Sequence, residues 1–341
     1  MLYNTNMLNK NILNWALVGT GGITNKFIIG LKATGGNPYA VVSRSRESAK
    51  DFAFKNNIEK AYDDYDLMLN DSDIDIIYIG TPHTTHKELA VRALNAKKAV
   101  LCEKPCAINA TELKEMIAAA KDNKTFFMEA MWTRYIPPVK KAIQWLYENQ
   151  IGDVKMVQAN FGFNAGYGPE HRLFNLNLGG GALLDAGIYP LSFISLVFGG
   201  VKPADIKSQL FFGETGSDDE NAVILSYGGD KIAFAASATR TALENDAWIY
   251  GSKGRIHLVN FIWSRNAVLL LDGKDEFIYK PDFISNGYNY EAEEVMNYLR
   301  EGRTESPCMT WDESVTIMET MDRIRAQWDF RYPCEIECVK K

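Results

Sequence analysis

Short apolar runs alternate with helical periodicity through the first 128 residues. Trp15-Ala16-Leu17-Val18 is followed by Phe27, Ile28 and Leu31 at helical spacing, and Tyr39-Ala40-Val41-Val42 by a helix over 47–55. Ile74 to Gly80 leads into a helix through Leu89, Ala90, Ala93 and Leu94. Ala99-Val100-Leu101-Cys102 precedes a helix that buries Leu113, Met116, Ile117 and Ala120 and opens on the pair Asn109 and Glu112; Thr125 to Met128 closes the series. Continuous apolar runs suit strands buried on both faces, and their alternation with helices predicts a doubly wound parallel sheet, a Rossmann α/β fold.

Pro137-Pro138 opens a helix reaching about Glu148, and from Val154 the texture changes. Seven runs of β-type composition follow, over 154–163, 204–212, 222–227, 231–239, 247–250, 255–259 and 267–271. Turn signals such as Gly228-Gly229, Gly251 to Gly254 and Asp272-Gly273 separate them. This predicts an α+β domain with a large, mainly antiparallel open sheet. The chain therefore divides into a dinucleotide-binding domain over 1–128 and a substrate-binding and oligomerisation domain over 129–341, as its length also suggests. Helices over 290–300 and from Thr310 with Glu313 read as structural.

Composition narrows the partners. Thirty-seven Lys and Arg against 43 Asp and Glu give a net charge of -6 with no dense basic run, which argues against nucleic acid or an anionic membrane and leaves small molecules. None of the 5 cysteines forms a C-x-x-C pair, so neither a disulfide framework nor a zinc ribbon is suggested and a reduced cytoplasm fits best. The first thirteen residues, rich in Asn, read as a loose leader rather than a signal peptide. The apolar stretch 182–200 is interrupted by Asp185 and Pro190 and reads as too broken to span a bilayer.

Candidate chemistry sits where strands end. Gly19-Thr20-Gly21-Gly22-Ile23, lying between a strand and a helix, suits a pyrophosphate held at a helix N-terminus, although Thr24 replaces the third glycine of the usual pattern. After the next strand, Ser43 and Arg44 stand where an acid would meet the ribose of NAD; a hydroxyl and a guanidinium suit a ribose 2′-phosphate instead, predicting NADP over NAD, with a solvated loop as the plain alternative. Thr81-Pro82 follows the third strand. His83 and His86 lie three residues apart without a carboxylate or cysteine set, so no metal site is expected; His86 either lines a pocket or is structural. Glu103-Lys104-Pro105 brings an amine to the rigid end of a strand, where ligands of open α/β sheets bind. Trp132 and Arg134 follow another strand end and either shape a substrate pocket or pack a junction. Asp185 and Tyr189 are i and i+4 in an apolar helical segment, so a carboxylate and a phenol share one face.

These stretches, with Met128 to Arg134 and Gly179 to Asp185, resemble the oxidoreductase family of glucose-fructose oxidoreductase, inositol dehydrogenase and the rhizopine-catabolism protein, in the branch holding dimeric dihydrodiol dehydrogenase and NADP-dependent D-xylose dehydrogenase. The resemblance covers nearly the whole chain. It implies a Rossmann domain followed by an α+β domain whose sheet makes homodimers or dimers of dimers, and hydride transfer between nicotinamide and a sugar, cyclic alcohol or dihydrodiol. It assigns the cofactor to the 19–23 turn, Ser43, Arg44, Thr81, Pro82, His86, Glu103 and Lys104, and catalysis to Lys104, Asp185 and Tyr189. Inositol dehydrogenases of the family carry histidine where Tyr189 stands, which shifts the expectation toward aldoses or diols. A free tyrosine ionises near a pKa of about 10, and an ammonium such as Lys104 favours the phenolate, so Tyr189 is expected to move the proton and Lys104 to tune it. The same fold also serves catalytically silent sensors and NAD-dependent glycosidases. Lys104, Asp185 and Tyr189 together argue against the first, and Ser43-Arg44 against the second.

Overall fold

The computed structural model describes residues 12–338, so the expected leader lies almost wholly outside the described residues. In chain order the first half runs β1 (Asn14–Val18), α1 (Gly22–Ala33), β2 (Asn37–Val42), α2 (Arg46–Asn56), β3 (Lys60–Tyr62), α3 (Tyr65–Leu69), β4 (Ile76–Ile79), α4 (His86–Asn95), β5 (Ala99–Glu103), α5 (Ala110–Asn123) and β6 (Phe127–Ala130). Then come α6 (Pro137–Tyr147), β7 (Val154–Gly162), α7 (Ile188–Val197), β8 (Asp205–Phe212), β9 (Asp218–Ser226), β10 (Ile232–Ala238), β11 (Ala247–Gly251), β12 (Gly254–Leu258), β13 (Ala267–Leu271), β14 (Phe277–Tyr279), α8 (Tyr288–Arg300), α9 (Trp311–Gln327) and α10 (Pro333–Cys338).

The first compact unit holds the chain through Ala107, Thr111–Trp132 and Ile284–Trp311. Its six strands are all parallel, in the order β3-β2-β1-β4-β5-β6. The central strands are fully buried, as their unbroken apolar runs require. The order reverses at β1, and the crevice outside the carboxyl ends there is where such sheets take ligands.

A single boundary at residue 128 does not describe this unit, because α8 returns to it. A Cβ on Gly30 of α1 would lie 2.6 Å from the Asn289 nitrogen, so only glycine lets the two helices approach this closely. Asn286 Nδ2 donates to the Lys26 carbonyl at 2.7 Å. The outer edge of β6 is closed as well: the Phe127 N–H donates to Thr304 O at 3.0 Å, and Trp311 Nε1 donates to Phe127 O at 2.9 Å.

The second unit holds Ile108–Ala110, Thr133–Phe283 and the chain from Asp312 onward. Its eight strands run β14-β13-β12-β11-β7-β10-β9-β8, antiparallel except for the central pair β7 and β10. One face buries Val157, Ala159, Leu225, Ala233, Ala235, Ile249 and Ile256, with α7 packed on β7 and β10 and α6 on β12 and β13. The stretch Leu176–Val197 is long and apolar enough to cross a membrane by length and composition, yet most of it is buried as a core segment. Two strands of three residues each, β3 and β14, carry too little pattern to be expected from sequence. Strand β9 begins four residues before the expected Ala222, with buried Asp218 and Asp219 in its first turn of pleat.

Candidate active site

In the first unit, Gly19 holds a φ of 98° and its N–H donates to Val42 O at 3.0 Å, drawing the turn after β1 against the end of β2. A Cβ there would sit 3.1 Å from Gly80 O, so glycine also permits contact with the end of β4. Helix α1 then follows the N-cap Gly21, with no side-chain cap and no acid in its first turn. A Cβ on Gly21 or Gly22 would meet nothing within 4 Å. Uncapped N–H groups at the positive end of a helix, behind two exposed glycines, fit a pyrophosphate. Thr20 and Ile23 flank them half-buried.

Ser43 and Arg44 follow β2 immediately. Arg44 is exposed and makes no hydrogen bond or ion pair among the described residues, so its guanidinium is available at the ribose end of such a ligand. Thr81 and Pro82, half-buried, form the loop after β4, where Thr85 Oγ1 donates to Thr81 Oγ1 at 2.7 Å.

Lys104 is half-buried one residue beyond β5. Its neighbour Glu103, expected at the cofactor, is engaged within the protein: buried, it accepts the Tyr78 hydroxyl at 2.6 Å and the Lys104 backbone N–H at 3.2 Å, and burial raises its pKa. Glu291 of α8 lies close enough to feel its charge. Both Glu291 oxygens are buried without a hydrogen-bond partner, and burial, reinforced by Glu103, raises that carboxyl's pKa well above the ordinary range.

His86, expected either to line a pocket or to be structural, is a staple between two loops. It is fully buried, with Nδ1 2.9 Å from Pro105 O and Nε2 2.8 Å from Thr81 O. Carbonyl oxygens only accept, so satisfying both contacts requires a proton on each nitrogen, an imidazolium. Burial opposes that charge, but the adjacent Cys102 sulfur and the two carbonyls outweigh it and raise the pKa to about 9. Cys102 responds in the opposite sense: burial pushes its thiol up, while Cys106 and His86 pull it down to about 6. The staple joins the loops that follow β4 and β5.

In the second unit the expected α-helical register of Asp185 and Tyr189 is broken by a π-helical turn, Leu183–Gly187, with Asp185 at its middle and Tyr189 just inside α7. Such insertions recur at functional sites because they re-aim a side chain. Asp185 is buried and its Oδ1 accepts from the half-exposed Arg172 Nη1 at 2.7 Å. Tyr189 is buried edge-on to Phe161 of β7, ring centres 5.4 Å apart. Sequence reasoning missed Arg172, which lies in an irregular loop without periodicity; a basic residue shortly before an apolar segment bearing one acid was the available signal.

Trp132 and Arg134, expected as candidates for a substrate pocket, are both buried in packing roles. Trp132 stacks on Tyr288 with ring centres 4.7 Å apart. Arg134 donates through Nε to Ser192 Oγ at 2.9 Å and through Nη2 to Ser192 O at 2.9 Å and Glu313 Oε1 at 2.8 Å, tying α7 to α9. Among the described residues no group of three or more His, Cys, Asp or Glu side chains is placed to hold a metal ion.

Residues 13–131 match the model of an oxidoreductase family with an NAD-binding Rossmann fold, and residues 139–257 match the GFO/IDH/MocA C-terminal domain. The chain is 38% identical over 328 residues to trans-1,2-dihydrobenzene-1,2-diol dehydrogenase of Xenopus laevis, spanning 94% of this chain and 99% of that protein. Its fold is similar to levoglucosan dehydrogenase in complex with NADH and levoglucosan, with a TM-score of 0.84 at 20% identity over 95% of this chain and all of the other, 100%. A 3-ketoreductase from Actinomadura kijaniata in complex with TDP-benzene and NADP is similar at a TM-score of 0.79 and 21% identity, over 92% and 97% of the two chains.

Proposed function

This chain belongs to the GFO/IDH/MocA oxidoreductase family and is a dehydrogenase acting on CH-OH groups, and from that premise we propose that it transfers hydride between NADP and a sugar, cyclic alcohol or trans-dihydrodiol. The observation that carries this reading is the uncapped glycine turn of α1 at the same sheet edge that delivers Lys104. NADP, when bound, supplies or accepts the hydride. The α1 N–H groups would hold its pyrophosphate and Arg44 its 2′-phosphate. Tyr189 removes the proton from the hydroxyl oxygen on the carbon being oxidised, and returns it in reduction. The Lys104 ammonium favours the phenolate form of that tyrosine. Asp185, kept in place by Arg172, accepts a hydrogen bond from the substrate and orients it. The dihydrodiol relative supports including trans-dihydrodiols among the substrates. Initial rates with NADP and NAD against aldoses, cyclitols and trans-dihydrodiols test the proposal, which falls if no alcohol is oxidised or if the chain retains NAD that never dissociates.

The NADP preference makes its own forecast. Arg44→Ala should raise the NADP Kd by about tenfold or more, the worth of one charge-assisted contact, with NAD affinity little changed. Fluorescence titration of the nicotinamide would show it, and an unaltered NADP Kd would remove Arg44 from the site.

We also propose a homodimer formed through the uncovered face of the second sheet. Across five strands, Ile224, Phe234, Gln158, Trp248 and His257 stand directly opposite one another in register. Ile224 is 42% exposed, and the others in the row are half-buried. Trp248 stacks on His257 with ring centres 3.7 Å apart. A contiguous, largely apolar row of this length suits a self-complementary interface. Phe234→Asp should convert dimers to monomers in light scattering, and a wild-type chain that scatters as a monomer would end this proposal.

A further inference from the structure

Beneath the turn that carries Asp185 runs a chain of buried polar side chains for which hydride transfer has no direct use. Asp218, at the start of β9, accepts on one oxygen both the Leu183 N–H at 2.7 Å and the Asn221 Nδ2–H at 3.0 Å. Asn221 Oδ1 in turn accepts the Ser237 hydroxyl at 2.9 Å. The Ser237 Oγ lies where a Cβ on Gly187 would come within 2.8 Å, so it sits directly against that residue. Leu183 and Gly187 are the first and last residues of the π turn. Asp218, Asn221 and Ser237 are all buried, and they come from two paired strands whose register sets Asn221 opposite Ser237.

The first N–H groups of a helical segment lack partners within it. Here the Leu183 N–H receives one from a neighbouring strand rather than from its own cap. Buried polar chains of this kind are costly unless every member is satisfied, and when satisfied they select one geometry among several that apolar packing would tolerate. One end of the turn is hydrogen-bonded to Asp218, the other packs against Ser237, and Asp185 is at its centre.

We propose that Asp218, Asn221 and Ser237 are positioning residues that fix the π turn and, through it, the aim of the Asp185 carboxylate and the Tyr189 hydroxyl at the substrate. The proposal rests on the reading of Asp185 and Tyr189 as substrate-contacting groups.

The test measures kcat, KM and NADP Kd for Asp218→Ala, Asp218→Asn, Asn221→Ala and Ser237→Ala, with Tyr189→Phe alongside. Asp218→Ala should lower kcat on the order of 10²-fold, as a displacement of about 1 Å at reacting groups does, without altering the NADP Kd. Asp218→Asn keeps an oxygen able to accept both N–H groups and should recover most of that loss. A folded Asp218→Ala with wild-type kcat overturns the proposal, as does an Asp218→Asn variant no better than the alanine. Should Asp218→Ala fail to fold, wild-type kcat in both Asn221→Ala and Ser237→Ala overturns it equally. A normal kcat in Tyr189→Phe would instead overturn the underlying reading of the site, so the two failures are distinguishable.

Discussion

Tyr189→Phe is expected to lower kcat by roughly 10²–10⁴-fold, the range that a positioned general acid or base contributes, while NADP binds as it does to the wild type. The substitution deletes only the hydroxyl. The ring remains, and with it the edge-on contact to Phe161, so folding and pocket shape are preserved. Lys104→Met should give a comparable loss for a different reason. Under the proposed roles, loss of the ammonium should move the pH at which kcat rises upward. Steady-state rates across pH, with cofactor titrations as the control, would check both. Near-normal turnover in the two variants would remove Tyr189 and Lys104 from the chemistry.

His86→Leu should destabilise the chain by about 3–5 kcal/mol, the usual consequence of removing one partner from a buried charged pair. Two carbonyls and the Cys102 sulfur would lose their donor together. The pH dependence follows from the two shifts. His86, raised to about 9, contributes stability that is full below its unfolded value and is lost as pH rises through about 9. Cys102, lowered to about 6, contributes stability that is present above its unfolded value and is lost as pH falls through about 6. Between those limits the opposing slopes cancel, because an imidazolium with a thiolate carries as many protons as the neutral pair. Wild-type stability should therefore be level across that window as far as this pair is concerned. In Cys102→Ala the sulfur that raises His86 is gone while burial remains, so the imidazole should shift toward its neutral form and the variant should be less stable than the wild type. Urea denaturation from pH 6 to 9 would show it, and a Cys102→Ala variant as stable as the wild type would mean that the Cys102 sulfur does not support His86.

Much of the architecture was legible because it is written in local pattern. The glycine turn lies where a strand meets a helix, and Lys104 stands where an apolar run turns polar; both features are visible within a few residues. The strand at 267–271 was bounded to the residue by its apolar run and the turn after it. What escaped depends on partners far along the chain. Arg134 looked like a pocket residue until its guanidinium met Glu313, 179 residues away. His86 looked like a ligand because sequence does not say that both its nitrogens face carbonyls. The π turn looked like ordinary helix because its apolar residues satisfy either register, and the choice is made by an Asp218 acceptor 35 residues on. The return of α8 had a faint local trace, a glycine in the middle of a helix, whose meaning depends on what approaches it.

That return has a consequence for how the molecule is made. A ribosome emits the strands of the nucleotide-binding sheet first, then most of the second unit, and only afterwards the segment 284–311 that belongs to the first. A nascent chain that has reached residue 132 still has the Gly30 surface of α1 uncovered and the outer edge of β6 unpaired, an open invitation to strand addition. The half of the protein that begins folding earliest is thus expected to finish late, its completion waiting on more than 150 residues of intervening synthesis. A chain cut after Trp132 should for the same reason be an aggregating fragment rather than a free-standing nucleotide-binding module, despite holding every strand of its sheet.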